Sequence, residues 1–572
     1  MFAVLFHPIS DTITRLCMIA LVTVSGIHVD SPPTIPTLTT SYAHGTSSTT
    51  LLHYTVGETL QRAVERWPDR EAMAFLEQGV RKTFAEFQQD VDKASAGLLA
   101  LGLTKGDRLG MWGPNTYEWI VFQFATAKAG IILVSVNPAY QLQEAEYALR
   151  KVGCKAIVCH SQFKTQKYCD MLRQICPEIE SSSPGGIKSA RLPDLRSVIV
   201  LDSLQPGMFH FDDVMQAGSS QYVQQLQDLQ KKLSCDDPIN IQFTSGTTGA
   251  PKGATLSHFN IVNNAYTVGK RVGYTWRVIF VRDFKDLEEE SQKILRAMES
   301  ERCTFVYGTP TMYVDMINQP DLAKHDLSSV HTGIMAGSPC PPEVVKQVIS
   351  VMGIKGITIG YGTTENSPVT FCANPGDNME RKSETVGFIM DHLEAKIVNP
   401  TTGQMLPLGE MGEIMIRGYC VMLGYWADQD KTNECITESG WYKTGDIGSM
   451  DAYGYCKIDG RIKDMIIRGG ENIYPAEIEQ FLHTHPKIKE AQVVGVQDAR
   501  MGEEVCACIK LVDGQESTAE EIKDYCKGQI SHFKIPRYVL FVTSYPLTIT
   551  GKIQKHKLRT EAEKLLGLEK GK

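Results

Sequence analysis

The chain has 572 residues and 15 cysteines, yet it contains no CxxC pair. That absence removes the usual ligand spacing of a structural zinc site. Cysteines scattered through apolar stretches such as Val505-Cys506-Ala507-Cys508-Ile509 do not read as a disulfide framework either. Reduced, buried thiols of an intracellular protein are the expectation. A long Lys/Arg stripe is also missing, and the formal net charge is −8, so general nucleic-acid binding is not expected. The apolar run Leu16 to Ile27 is only twelve residues long, too short to cross a bilayer, so no transmembrane span is expected. No fixed-period repeat occurs, which excludes a solenoid.

Basic residues are scarce at the N-terminus: Arg15 is the only Lys or Arg before Arg62, and Asp11 and Asp30 are acidic. After the apolar run, Ser31 to Thr50 is rich in Ser, Thr and Pro and shows no packing pattern. Residues 1–50 therefore read as a cleavable targeting segment or a disordered leader. The short apolar run suits a secretory signal, and the shortage of arginine is atypical of a mitochondrial presequence.

The length exceeds what one hydrophobic core usually serves, so at least two domains are expected. Thr83-Phe84-Ala85-Glu86 is a capping box; Phe84, Phe87, Val91, Ala94 and Leu98 then recur at helical spacing, and Gly102 is a stop. Short apolar runs at Arg108–Trp112, 131–136 and 156–158 alternate with helical stretches. That alternation predicts an α/β domain with a mostly parallel sheet, placed at 51–460. Beyond Gly460 charge and short strands mix more densely. Strands at 490–496 and 505–512 and a helix from Ser517 to Ile530, capped by Ser517 or Thr518, predict a small α+β domain at 461–572. The hinge is placed at Gly460-Arg461-Ile462-Lys463-Asp464.

The strongest chemical signal follows the strand-like Ile239–Phe243. It is Thr244-Ser245-Gly246-Thr247-Thr248-Gly249-Ala250-Pro251-Lys252-Gly253. Glycines and small hydroxyls let backbone N–H groups approach an anion, and Lys252 adds charge. A Walker A loop needs GxxxxGK[ST], but here two residues separate Gly246 from Gly249 and Gly253 follows the lysine. A P-loop NTPase is therefore disfavoured. Gly337-Ser338-Pro339 and Tyr361-Gly362-Thr363-Thr364-Glu365 follow short apolar runs, where loops at strand ends collect ligands. Further polar clusters are Trp441-Tyr442-Lys443-Thr444-Gly445-Asp446, Gly460-Arg461 and Pro546-Leu547-Thr548-Ile549-Thr550-Gly551-Lys552-Ile553. Taken singly, each has a plainer explanation: a turn cap at Asp446, a surface pair at Arg461, a solvated tail lysine at Lys552.

In order and together these motifs resemble the adenylate-forming superfamily, and within it the acyl-CoA synthetases. The likeness covers about Thr55 to Leu566. Asn137-Pro138-Ala139-Tyr140, Arg468-Gly469-Gly470-Glu471-Asn472-Ile473-Tyr474-Pro475 and Ser531-His532-Phe533-Lys534-Ile535-Pro536 are similar to its medium-chain, mitochondrial branch. The resemblance implies a mitochondrial ligase of fatty acid metabolism that takes a carboxylic acid, ATP with Mg²⁺, and coenzyme A, and forms acyl-AMP and then acyl-CoA. It further implies that Thr244 to Lys252 hold the β- and γ-phosphates, with Gly253 closing the nucleotide-binding segment, that Glu365 binds Mg²⁺ and that Thr364 bonds a phosphate oxygen. Tyr361 would stack on adenine beside Gly337 and Ser338, Asp446 would accept from both ribose hydroxyls, and Arg461 would reach the ribose or phosphate. Lys552 would catalyse adenylation from a mobile small domain, and Gly470 would border the pantetheine tunnel. An oligomeric state is not implied.

The likeness breaks between Asn264 and Thr304, where the family has an aromatic-and-histidine loop lining the acyl pocket. Here Tyr274-Thr275-Trp276-Arg277-Val278-Ile279-Phe280-Val281 leads into the charged run from Arg282 to Glu290, which reads as a solvated helix face. A nucleotide-binding paralogue with impaired acid activation, and an adenylate-former for another carboxylic acid, stay open beside the leading reading.

Overall fold

The computed structural model describes residues 36–244, 251–274, 280–281, 287–469, 471–498, 500–547 and 553–568. Most of the expected leader, residues 1–35, lies outside them. The capping box at Thr83 forms as expected: Thr83 Oγ1 accepts from the Glu86 N–H at 3.2 Å and Glu86 Oε2 from the Thr83 N–H at 2.8 Å. The helix it starts, Phe84–Ala100, buries Phe87, Val91, Ala94 and Leu98. A second box at Thr55 and Glu58 starts Val56–Arg66. Each box satisfies two backbone donors that a helix start leaves without a partner.

Among the described residues the strands of the large unit form three main sheets. The first, of eight strands, runs Gly424–Tyr425, Lys252–Ser257, Pro238–Thr244, Ile132–Val136, Arg108–Trp112, Cys154–Cys159, Ser197–Val200, Phe209–His210. Its last six strands are mutually parallel and the first two antiparallel. The buried helix Tyr117–Lys128 provides one crossover between parallel strands. The second sheet has six strands, from Phe280–Val281 through Phe305–Gly308, Thr332–Met335 and Gly356–Gly362, with Val369–Cys372 and Phe388–Ile389 antiparallel at its far edge.

The third sheet is antiparallel throughout and was not foreseen from sequence: Tyr42–His44, Leu393–Val398, Gly412–Gly418, Tyr442–Met450, Cys456–Arg461. Its edge strand corrects the reading of Ser31 to Thr50 as patternless. Tyr42 pairs with Lys396 and His44 with Glu394, and Ser41 is buried, so the folded unit starts before the expected boundary at 50.

Arg461 ends the last strand of that sheet, and the chain crosses to the small unit through the single turn Ile462–Asp464. The small unit is α+β. Ile488–Asp498 and Gly502–Leu511 form a long hairpin, and the other edge of Gly502–Leu511 takes Ile466–Arg468 at its start and the parallel strand Tyr538–Phe541 further along. The expected helix spans Ala519–Cys526, and its cap is Thr518, whose hydroxyl accepts from Glu521 N–H at 3.2 Å. Among the described residues all 14 cysteines are free and most are buried, and no helix is long and apolar enough to cross a membrane.

Candidate active site

The glycine-rich segment joins two antiparallel strands, in contrast to a strand-loop-helix. Thr244 and Lys252 face each other as the last register pair of the antiparallel strands Pro238–Thr244 and Lys252–Ser257. Thr244 is half-buried; Ser245, Gly246, Thr247, Thr248, Gly249 and Ala250 lie outside the described residues. Pro251 leads back into the strand. Gly253 lies within it and is buried; a Cβ there would come within 2.8 Å of Ile241 Cγ2. Its small size serves packing against Ile241, Phe243 and Trp426.

Two of the expected residues, Tyr361 and Arg461, converge on the carboxylate of a third, Asp446. Tyr361, on the strand Gly356–Gly362, donates its hydroxyl to Asp446 Oδ2 at 2.6 Å. Arg461 Nε donates to Asp446 Oδ1 at 2.9 Å. The register pair Asp446↔Arg461 of adjacent strands sets that contact. Asp446 is itself oriented by Thr444, whose hydroxyl accepts from the Asp446 N–H at 3.0 Å and donates to Ile414 O at 2.8 Å. Burial and then the Asp446 charge push the Tyr361 phenol well above its ordinary range, so it stays a donor. A carboxylate has about four acceptor sites. Two are used here, and two are left for a diol.

Glu365 sits in the turn Thr364–Asn366, directly after the strand that carries Tyr361. Gly362 makes the turn possible: a Cβ at that position would lie 1.7 Å from the Pro368 carbonyl oxygen. Thr364 and Glu365 are both buried. The Glu365 carbonyl accepts from the Met422 N–H at 2.8 Å, which ties the turn to the segment carrying Tyr425. Glu365 Oε1 accepts from the Tyr425 hydroxyl at 2.8 Å, and Lys252 Nζ stands 4.9 Å from the centre of the Tyr425 ring. Glu365 and Lys252 thus meet through Tyr425, a residue that sequence reading missed. Its only signal was Gly424-Tyr425-Trp426, an aromatic pair in an apolar stretch.

Gly337 and Ser338 follow the strand Thr332–Met335, which pairs in parallel with Gly356–Gly362. They therefore leave the sheet at the same end as Tyr361. Gly337 has φ +102°, a conformation open to glycine and few other residues. Lys552 and Gly470 lie outside the described residues, as do the side chains of Arg282 to Glu290. The second half of the helix that follows, Leu287–Ser300, is amphipathic: it buries Ile294, Leu295 and Met298 and exposes Lys293 and Arg296.

The described residues contain no cluster of three or more His, Cys, Asp or Glu placed to hold a metal. They do offer one buried hard carboxylate, Glu365, linked through Tyr425 to Lys252 at the base of the glycine-rich segment. Mg²⁺ is commonly held by one or two carboxylates together with substrate phosphates, and that donor set fits.

The chain belongs to the AMP-binding enzyme family. The model of the AMP-binding enzyme matches residues 60–279 and 272–426, and that of the AMP-binding enzyme C-terminal domain matches 477–552. The two segments of the first match meet at 272–279, inside the stretch where the sequence departs. Among curated proteins the chain is similar to the medium-chain acyl-CoA ligase ACSF2, mitochondrial, of Danio rerio, at 68% identity over 568 residues, 95% of this chain and 94% of that protein. The protein of that name from Homo sapiens is 54% identical over 573 residues, 95% of this chain and 93% of that one. The putative acyl-CoA synthetase YngI of Bacillus subtilis is 42% identical, covering 91% and 99%. Among solved structures, ATP-bound MatB from Rhodopseudomonas palustris aligns with a TM-score of 0.71 at 26% identity, covering 85% and 95%. The anthranilate CoA ligase AuaEII with anthranoyl-AMP shares the fold, with a TM-score of 0.76 at 24% identity, covering 91% and 99%.

Proposed function

We propose that this chain is an AMP-forming acid–thiol ligase of the mitochondrion. It activates a medium-chain fatty acid with ATP to acyl-AMP and transfers the acyl group to coenzyme A. The observation that carries the reading is Asp446, gripped by Tyr361 and Arg461 with two acceptor sites spare, beside a buried Glu365 and the lysine of the glycine-rich segment. The names of the 68% and 54% identical relatives supply the acid class and compartment.

In this reading the loop from Thr244 to Lys252 holds the β- and γ-phosphates, and Thr364 adds a hydroxyl. Tyr361, Gly337 and Ser338 border the adenine, Asp446 takes the ribose hydroxyls, and Arg461 lies between ribose and phosphate. Glu365 would hold Mg²⁺ together with substrate phosphate, and the ion would supply positive charge against the phosphates. Lys552 places a positive charge between the attacking carboxylate and the bridging oxygen, and pyrophosphate leaves. The small unit then turns about the link at Ile462–Asp464, withdraws Lys552 and brings Gly470 to the path of the thiol. Coenzyme A attacks the acyl-AMP directly, so no side-chain nucleophile is required. A panel of acids of increasing length, assayed for acid-dependent AMP, pyrophosphate and acyl-CoA, tests the proposal.

A second reading keeps ATP binding but loses acid activation. It is favoured by the break in the family match at 272–279. Calorimetric ATP binding with no acid-dependent pyrophosphate across the panel would select it. Replacing residues 274–297 by the relatives' segment would then restore turnover.

A further inference from the structure

We propose that Tyr425 is a positioning residue that keeps Glu365 available to a divalent cation and apart from Lys252. The inference rests on the reading of Glu365 as the carboxylate that receives Mg²⁺. The backbone of Tyr425 is fixed from two sides. Gly424–Tyr425 pairs antiparallel with the strand leaving the anion loop, with Ala254 opposite Tyr425 and Thr255 opposite Gly424, and the Trp426 N–H donates to Gly253 O at 2.8 Å. From the helix Gln429–Cys435, Thr432 Oγ1 accepts from the Tyr425 N–H at 2.9 Å. Gly424, with φ +145°, admits that contact, because a Cβ there would stand 3.0 Å from Thr432 Cγ2.

So fixed, the phenol meets two opposite charges, one at its hydroxyl and one at its ring face. Its hydroxyl donates to Glu365 Oε1 at 2.8 Å, and the Lys252 ammonium faces the ring at 4.9 Å from its centre, a cation–π distance. The described residues contain no Lys252–Glu365 ion pair, although both groups border the same ring. In a buried site an ammonium and a carboxylate attract strongly, and direct pairing would spend both the cation ligand and the phosphate-binding charge on each other. Tyr425 prevents this in two ways. Its ring faces the ammonium, and its neutral donor occupies Oε1 and leaves Oε2 to a hard cation.

The test is calorimetry of ATP binding in the absence of acid, with EDTA and across a Mg²⁺ titration, for the full-length enzyme and its variants. Tyr425→Phe keeps the ring and removes only the donor. The account expects a ten- to hundredfold rise in the Mg²⁺ concentration for half-maximal enhancement of ATP binding, a size usual for groups that orient a metal ligand. Metal-free ATP binding should stay within about twofold. On a Glu365→Gln background the same substitution should add nothing. An unchanged Mg²⁺ midpoint, or equal weakening with and without metal, overturns the role of Tyr425. If Glu365→Gln itself retains the parental Mg²⁺ dependence, the reading of Glu365 falls, and Tyr425 with it. Loss of Mg²⁺ dependence in Glu365→Gln alone, with Tyr425→Phe unaffected, removes only the Tyr425 role. Should Tyr425→Phe not fold, Thr432→Val carries the test, since it releases the Tyr425 backbone without touching its hydroxyl. A smaller shift of the Mg²⁺ midpoint in the same direction supports the role, and no shift overturns it.

Discussion

Tyr361 and Asp446 are 85 positions apart in sequence, yet the hydroxyl of one donates to the carboxylate of the other at 2.6 Å, inside the core. In the proposed reading this bond, with that from Arg461, leaves the free edge of Asp446 to the ribose diol. A ribose contact is made in ground and transition states alike, so its loss appears as weaker binding. Asp446→Ala is expected to raise the KM for ATP about ten- to hundredfold, the range of a hydrogen bond to a charged group, with a smaller fall in kcat. Steady-state kinetics over ATP concentration checks this. A large drop in kcat at unchanged KM would contradict it.

Lys552 is expected to act in one half-reaction only. Lys552→Ala should cut acyl-adenylate formation by ~10²–10³, the usual size of a transition-state charge contact. Thioester formation from supplied acyl-AMP and coenzyme A should be spared. Single-turnover assays of the two halves decide it, and an equal loss in both rules out the assigned role.

Gly362 should not tolerate a side chain. Its Cβ would fall on the Pro368 carbonyl oxygen, a backbone atom that cannot rotate away. Gly362→Ala is expected to cost about 1–3 kcal/mol, as overpacking does, and to displace Thr364 and Glu365. Differential scanning calorimetry with parallel ATP titration measures both, and a neutral substitution would show that the turn is looser than described.

Asp459, next to the link between the two units, is half-buried, with Lys457 and Glu477 as charged neighbours. Burial pushes its carboxyl up to about 6 from 3.8; Lys457 lowers it and Glu477 raises it. The folded state therefore holds a proton that the unfolded chain releases. The stability this group contributes is present below pH ~4 and is lost as pH rises towards ~6. Asp459→Asn should leave stability unchanged near pH 4 and add about 1–3 kcal/mol above pH 6, after allowance for partial exposure. Thermal melts of both proteins across pH 4–7.5 test the sign, and parallel curves would refute it.

Local signals carried much of this structure. The box at Thr83 and Glu86, the helical spacing from Phe84 to Leu98 and the apolar runs at Arg108 and Ile132 depend on neighbours in sequence, and each folds as read. The antiparallel sheet from Leu393 to Arg461 was not legible, because its pairing is long-range and its edge strand, Tyr42–His44, is three residues long, too short for any period. Tyr425 escaped for a related reason. An apolar-looking tyrosine becomes part of the site only when Ala254 pairs with it and Glu365 is folded under its hydroxyl. Asp446, Arg461 and Glu365 were legible from ordered motifs, while Tyr361 bonding to Asp446 was not, since a motif gives order and not contact.

The central claim, acid-dependent adenylation, is tested most directly by identifying the nucleotide product. The purified chain is incubated with ATP, Mg²⁺, coenzyme A and octanoate, and the products are resolved by chromatography. The account predicts AMP, pyrophosphate and octanoyl-CoA in equal amounts, all abolished when the acid is left out. ADP with phosphate, or ATP left unconsumed with every acid of a short- to long-chain series, would contradict it.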